Sequence, residues 1–185
     1  MGDFVELTSE EARNLVHTNP VSILTTMNEE GAVNAATFAW LCPTSHDPPM
    51  VSVMVSPKRY TFQNLEETGE FVINVMTKHN LDSIMYVGSV SFKNKPEKVE
   101  KSGLTTRESK YVEPPALDDS VGWIECEVLD MVEEGDHHVV VGKVLGGMAD
   151  EDFWDERLEV EKAETLHHIG GKKFLVAGNV IEYED

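Results

Sequence analysis

Apolar residues recur along this chain in short runs, and breaks between the runs mark the elements. Val21-Ser22-Ile23-Leu24-Thr25-Thr26-Met27 is rich in β-branched residues, and Asn28-Glu29-Glu30-Gly31 after it is a turn sequence. With Val33–Leu41 returning, the pattern predicts a β-hairpin. Met50–Val55 and Glu70–Met76 read as further strands. Gly122–Val132 and His137–Gly147 flank the turn Glu133-Glu134-Gly135-Asp136 and predict a second hairpin. Lys110–Val112 reads as a short strand, and Lys172–Tyr183, behind Gly170-Gly171, as the last one.

Helices are short. Thr8-Ser9-Glu10-Glu11 is a capping box, and the helix it starts runs through Ala12, Leu15 and Val16 and stops before Pro20. Ser56-Pro57 predicts an N-cap with proline at the first helical position, and Gly69 closes that helix. Asn80–Val87 and Pro96–Lys101 predict two more, the second ended by Gly103. Pro43, Pro48 and Pro49 predict a loop over Cys42–Pro49. Asp150–Leu166 reads as an acidic surface helix or loop whose buried edge is Phe153, Trp154 and Leu158. Hairpins dominate, so the sheet is antiparallel, and closure into a barrel is the usual way to remove its edges. The fold class is mainly β, one domain over residues 1–185, with no repeat or long linker. No strand–GxGxxG–helix unit is present, which argues against a Rossmann nucleotide domain.

Charge sharpens this picture. Fifteen Lys and Arg against 34 Asp and Glu give a formal charge of −19. Such a chain repels nucleic acid and anionic membranes. Between Arg13 and Lys78 the only basic side chains are Lys58 and Arg59, at the proposed helix start. Cys42 and Cys126 make no disulfide framework, the N-terminus has no signal layout and no apolar run approaches a membrane span, so the cytoplasm is the expected location.

Four places are candidates for chemistry. A helix start with free N–H groups, the Ser56 and Thr61 hydroxyls and the Arg59 fork would make a phosphate site; the alternative is an ordinary cap with two solvated cations. Asn34-Ala35-Ala36-Thr37-Phe38-Ala39-Trp40 has small residues that let a flat ligand reach the backbone, or simply let a helix pack there. Gly135-Asp136-His137-His138 is a metal contact, a nicotinamide contact or only a turn. Neighbouring strand histidines point to opposite faces, so His137-His138 and His167-His168 each supply at most one ligand to a shared ion, and no metal is expected. Cys126 reads as core; Cys42 lies beside the candidate ligand stretch.

Taken together, these pieces resemble the flavin reductase-like family, including the flavoredoxins. The resemblance is carried by Val21–Thr26 with the turn Asn28–Gly31, by Asn34-Ala35-Ala36-Thr37 with Trp40, and by Pro43 with Asp47-Pro48-Pro49. It continues through Ser56-x-x-Arg59-x-Thr61, Thr68–Val75, Gly135-Asp136-His137 and His168-Ile169-Gly170-Gly171. It implies a six-stranded antiparallel Greek-key split barrel with a few peripheral helices, and a homodimer with FMN near the interface. Ser56, Arg59 and Thr61 would then hold the FMN phosphate. Asn34, Ala35, Ala36, Thr37 and Trp40 would line the flavin ring, and Asn74 would close the pocket. His137 and His168 would lie on the substrate side as catalytic residues. The implied activity is an FMN-dependent oxidoreductase that takes a hydride from NAD(P)H. The alternative is a flavoredoxin-like electron carrier reduced by a redox protein partner; a third is a split barrel holding another cofactor, such as haem or a pyridoxal derivative. Two features depart from the family pattern: Trp123, where a small residue is expected, and the acidic Asp150–Glu164 segment, which would repel a pyridine nucleotide if it fringed the pocket.

Overall fold

The computed structural model describes residues 2–182. Seven antiparallel strands form the main sheet: β1 (Ser22–Met27), β2 (Val33–Phe38), β3 (Leu41–His46), β4 (Pro49–Val55), β5 (Glu70–Val75), β6 (Gly122–Glu134) and β7 (His137–Ala149). Their order is β2-β1-β5-β6-β7-β4-β3. The two edge strands are therefore neighbours in sequence, since only Ala39 and Trp40 separate β2 from β3. Three Cα steps reach roughly 11 Å at most, so the sheet must curl until its edges nearly meet. The Trp40 carbonyl accepts the Met54 N–H at 3.0 Å and sits in that seam.

Both faces of β1 are buried, which is why it carries no charged residue and shows no alternation of buried and exposed positions. Leu24, Val53, Phe71, Ile73, Cys126 and Val140 fill the barrel, and Phe62 and Leu65 of α2 (Tyr60–Thr68) pack into the same cluster. Ile23 and Ala35 face outward, under Ile84 and Val87 of α3 (Leu81–Ser89). At Gly142 a Cβ would stand 2.5 Å from Phe71 Cζ, so only glycine lets β7 cross that ring. The first helix, α1 (Ser9–Arg13), has the capping box expected of it and buries no residue.

Some expectations fall to local competition. Leu41–His46 is a strand rather than a loop, and it brings the sheet to seven strands. Pro43 is tolerated because β3 is an edge strand, where one face of the ladder needs no donor. Helix α2 starts at Tyr60, not at Ser56: Arg59 is the extended N-cap residue, and its N–H donates to the Ser56 carbonyl at 3.0 Å. Ser56–Arg59 is thus a turn, and Pro57 holds the second turn position that proline favours. Gly69 ends α2 at φ +68°, as anticipated.

Lys110–Val112 forms no strand, because the buried Glu125 carboxylate takes the Lys110 and Tyr111 N–H groups at 3.0 and 2.6 Å. Glu125 also accepts the Trp123 indole N–H at 3.0 Å, and Trp123 packs with Val72, Val112 and Ala116. A large residue is accommodated there by its own polar anchor. Pro96–Lys101 contains the single turn α4 (Lys98–Lys101). In the acidic segment Trp154 is exposed, and the buried residues are Ala163, at the end of the single turn α5 (Val160–Ala163), Thr165 and Leu166. Finally, β8 (Leu166–Gly170) and β9 (Lys173–Val176) form a small sheet with Asn19–Pro20. The last strand is therefore shorter than predicted, and Tyr183 lies outside the described residues. Among those residues no helix is long and apolar enough to cross a membrane.

Candidate cofactor site

A cavity of about 640 Å³ opens beside the seam, between β2, the start of α2 and the end of α3. It brings together nine of the eleven anticipated residues: Asn34, Ala36, Thr37, Trp40, Ser56, Arg59, Thr61, His137 and His168. Ala35 and Asn74 are not in its wall. Alternation along β2 turns Ala35 into the core beneath α3. Asn74 is wholly buried and committed: its amide donates to the Ile23 carbonyl at 3.0 Å and its oxygen accepts the Leu117 N–H at 2.8 Å.

One end of the cavity is cationic. Lys58 and Arg59 line it beside the first turn of α2, whose leading N–H groups have no partner inside the helix. Asn34 donates to the Thr61 hydroxyl at 3.0 Å, which leaves the Thr61 proton for another acceptor. Asn34 also reaches Thr26, which accepts from Asn64 at 3.0 Å, so a buried polar cluster fixes this corner. Lys98 joins it from α4. Its side chain is buried and donates to the Val87 carbonyl at 2.8 Å. Burial, and then the charge of Arg59, lower its pKa to about 8. Arg13 adds a fourth cation to the lining, which contains no carboxylate at all. None of these four cations joins an ion pair among the described residues. In a chain of net charge −19, the cavity lining is thus of the opposite sign to the chain as a whole.

The other end is flat and aromatic. The Thr37 hydroxyl donates to the Ile84 carbonyl at 2.6 Å, so towards a ligand it has only acceptor capacity left. Gly88 makes room for that contact, since a Cβ there would come within 3.1 Å of Thr37. The Trp40 ring has the Arg13 guanidinium 5.6 Å from its centroid and the His137 ring at 5.3 Å. His137 Nδ1 lies 2.7 Å from Asp136, and this bond holds the Asp136 carboxyl below its usual range. A carboxylate accepts only, so Nδ1 carries the proton. His168 Nε2 donates to the Gly171 carbonyl at 3.1 Å, with the His17 ring edge-on at 5.8 Å. His138 points the other way, against Phe62. Neither cysteine enters the cavity: Cys126 is buried in the barrel with its thiol pushed up to about 12, and Cys42 is exposed beside it. No residue of the acidic Asp150–Glu164 segment lines the cavity either.

Lys98, His17 and Arg13 are among the lining residues that the sequence did not single out. Lys98 sits in a run with Lys93, Lys95 and Lys101, and nothing local marks the one that turns inward.

Residues 14–176 match the flavin reductase like domain. The chain belongs to this family. A relative from Archaeoglobus fulgidus is 34% identical over 141 residues, covering 76% of this chain and 79% of that protein. A relative from Aeropyrum pernix is longer: 27% identity over 150 residues covers 81% of this chain and 57% of that one. Among solved structures, the flavoredoxin of Methanosarcina acetivorans superposes with a TM-score of 0.87 at 18% identity, covering 98% of this chain and 95% of the other. An FMN-binding protein from Thermus thermophilus gives 0.82 at 21% identity over the full length of both. These likenesses establish a flavin reductase-like split barrel.

Proposed function

We propose that this flavin reductase-like protein binds FMN in the cavity, accepts a hydride from NADH or NADPH and passes the electrons to an acceptor. The observation that carries the reading is the carboxylate-free cavity, cationic at one end and flat at the other. Its volume lies within the roughly 300–1,000 Å³ of cofactor sites. The residues suit FMN. Ser56, Arg59, Thr61, Lys98 and the first turn of α2 hold the phosphate, and Asn34 sets the Thr61 hydroxyl. Ala36, Thr37 and Trp40 line the ring. Bound FMN supplies the two-electron chemistry, so no acid–base pair is required of the side chains.

His137 and His168 stand on the rim, where a nicotinamide ring has access. Asp136 keeps His137 in one tautomer and one orientation. Because the acidic segment stays out of the cavity wall, it raises no local barrier to a pyridine nucleotide. The unit works as a homodimer with FMN near the interface: Phe4, Val5 and Leu15 around α1 are exposed apolar side chains that a second copy would cover. The cytoplasm suits two unpaired cysteines.

Anaerobic mixing of FMN-loaded protein with NADH or NADPH tests the reading, with loss of the yellow absorption band as the expected result. A preparation that takes up no FMN sinks it. Uptake without bleaching by either nucleotide would favour the second reading, an FMN carrier reduced by a basic protein partner. The net charge of −19, which steers such partners, supports that alternative.

A further inference from the structure

Beside the cavity runs a second, smaller groove of about 400 Å³. The two share Arg13, His17, Trp40 and Met54. The groove is mainly apolar: Val16, Trp40, Leu41, Cys42 and Met54 line it, and His17 and Asn19 are its polar residues beside Arg13. Arg13 is its only permanently charged residue, and no carboxylate lines it. The guanidinium lies over Trp40 and joins no ion pair among the described residues. The guanidinium, exposed and over Trp40, is thus free to meet an anion at the head of an apolar groove.

We propose that this groove is a binding site for an apolar organic monoanion, such as an aromatic carboxylate, with Arg13 as its charge partner. The planar guanidinium fork matches a carboxylate in two parallel hydrogen bonds. The ring of the ligand would lie along Leu41 and Met54, against Trp40, and replace water there. Neutral aromatics lack the charge term, and a pyridine dinucleotide is too large for the groove and carries more than one anionic group. The inference rests on the FMN reading only in placing this ligand next to a flavin; the groove itself stands without it.

The test is binding of 4-fluorobenzoate to the full chain, followed by fluorine NMR, in FMN-loaded and FMN-free samples. Neutral 4-fluorobenzamide is the control. Saturable benzoate binding in both samples is expected, with the amide at least tenfold weaker. Arg13→Met weakens benzoate at least tenfold and brings it level with the amide. Cys42→Trp, which fills the groove from an exposed position, abolishes binding of both. Arg59→Ala in FMN-free protein leaves benzoate binding unchanged, which separates the groove from the cationic corner of the cavity. No saturable binding, equal binding of benzoate and amide, or loss with Arg59→Ala instead of Arg13→Met overturns the proposal. FMN uptake, read by absorption in the same samples, reports separately on the flavin site.

Discussion

Lys98 is buried beside Arg59, two like charges at one end of a cavity with no carboxylate between them. The pair is costly in the ligand-free protein, since burial and the neighbouring guanidinium lower Lys98 to about 8. An incoming phosphate removes both penalties at once.

That relationship has a pH signature. Between about pH 8 and 10.5 the unfolded chain keeps the Lys98 proton and the folded, ligand-free chain loses it. The unfolded state then binds more protons at this site, so the Lys98 contribution to stability rises with pH across this window. Above about pH 9 the Cys126 thiol, which stays protonated in the folded chain, works against it, so the net rise is confined to about pH 8 to 9. FMN binding runs the opposite way: a dianion favours the charged lysine, so affinity falls above pH 8. Denaturant titrations and FMN titrations from pH 7 to 10 check both signs. Lys98→Met flattens both slopes, and a variant that keeps them removes Lys98 from the corner.

Arg59→Ala leaves α2 intact, because the Arg59 side chain makes no capping bond. It weakens FMN binding by about 1.5–3 kcal/mol, the worth of a charge-assisted hydrogen bond. Quenching of FMN fluorescence on binding measures it. Unchanged affinity would place the phosphate elsewhere.

His137→Gln keeps FMN uptake within a few-fold and slows reduction by NADH or NADPH about tenfold or more, the scale on which a lost positioning contact acts. Stopped-flow absorbance in the absence of oxygen separates the two effects. Equal rates would make the His137–Trp40 contact purely structural.

Gly142→Ala drives a methyl to within 2.5 Å of Phe71 Cζ and 3.3 Å of Cys126 Cβ. The ring sits in the filled barrel, so the substitution costs about 1–3 kcal/mol. Thermal unfolding of the two proteins reads it directly. A variant as stable as the parent would mean that β7 moves aside more easily than its packing implies.

Much of this was legible along the chain, and the exceptions have physical reasons. The hairpin Val21–Leu41 and the Gly69 stop are plain because turn residues act through their own backbone preferences. Pro43 misled because proline forbids a ladder bond only where one is needed, and edge position is decided by strands far away in sequence. Ser56-Pro57 fits a helix start and a β-turn equally well; the Arg59 to Ser56 bond chooses the turn. Asn74 is polar and next to the sheet, but its partners, Ile23 and Leu117, lie 51 and 43 residues away and take it out of the cavity. Ala35 and Ala36 are alike in sequence, but alternation gives the cavity only Ala36.

The two-residue link at Ala39 and Trp40 has a mechanical consequence. Among the described residues it is the place where the chain crosses directly from one free edge of the main sheet to the other, and the cavity opens onto it. A ligand touching both Trp40 and Ser56 acts as a clasp on the barrel, holding closed a boundary that no strand ladder bridges. Occupancy should therefore be felt along the rims, as slower amide exchange in β2 and β3, while the already locked β5–β6 ladder hardly changes.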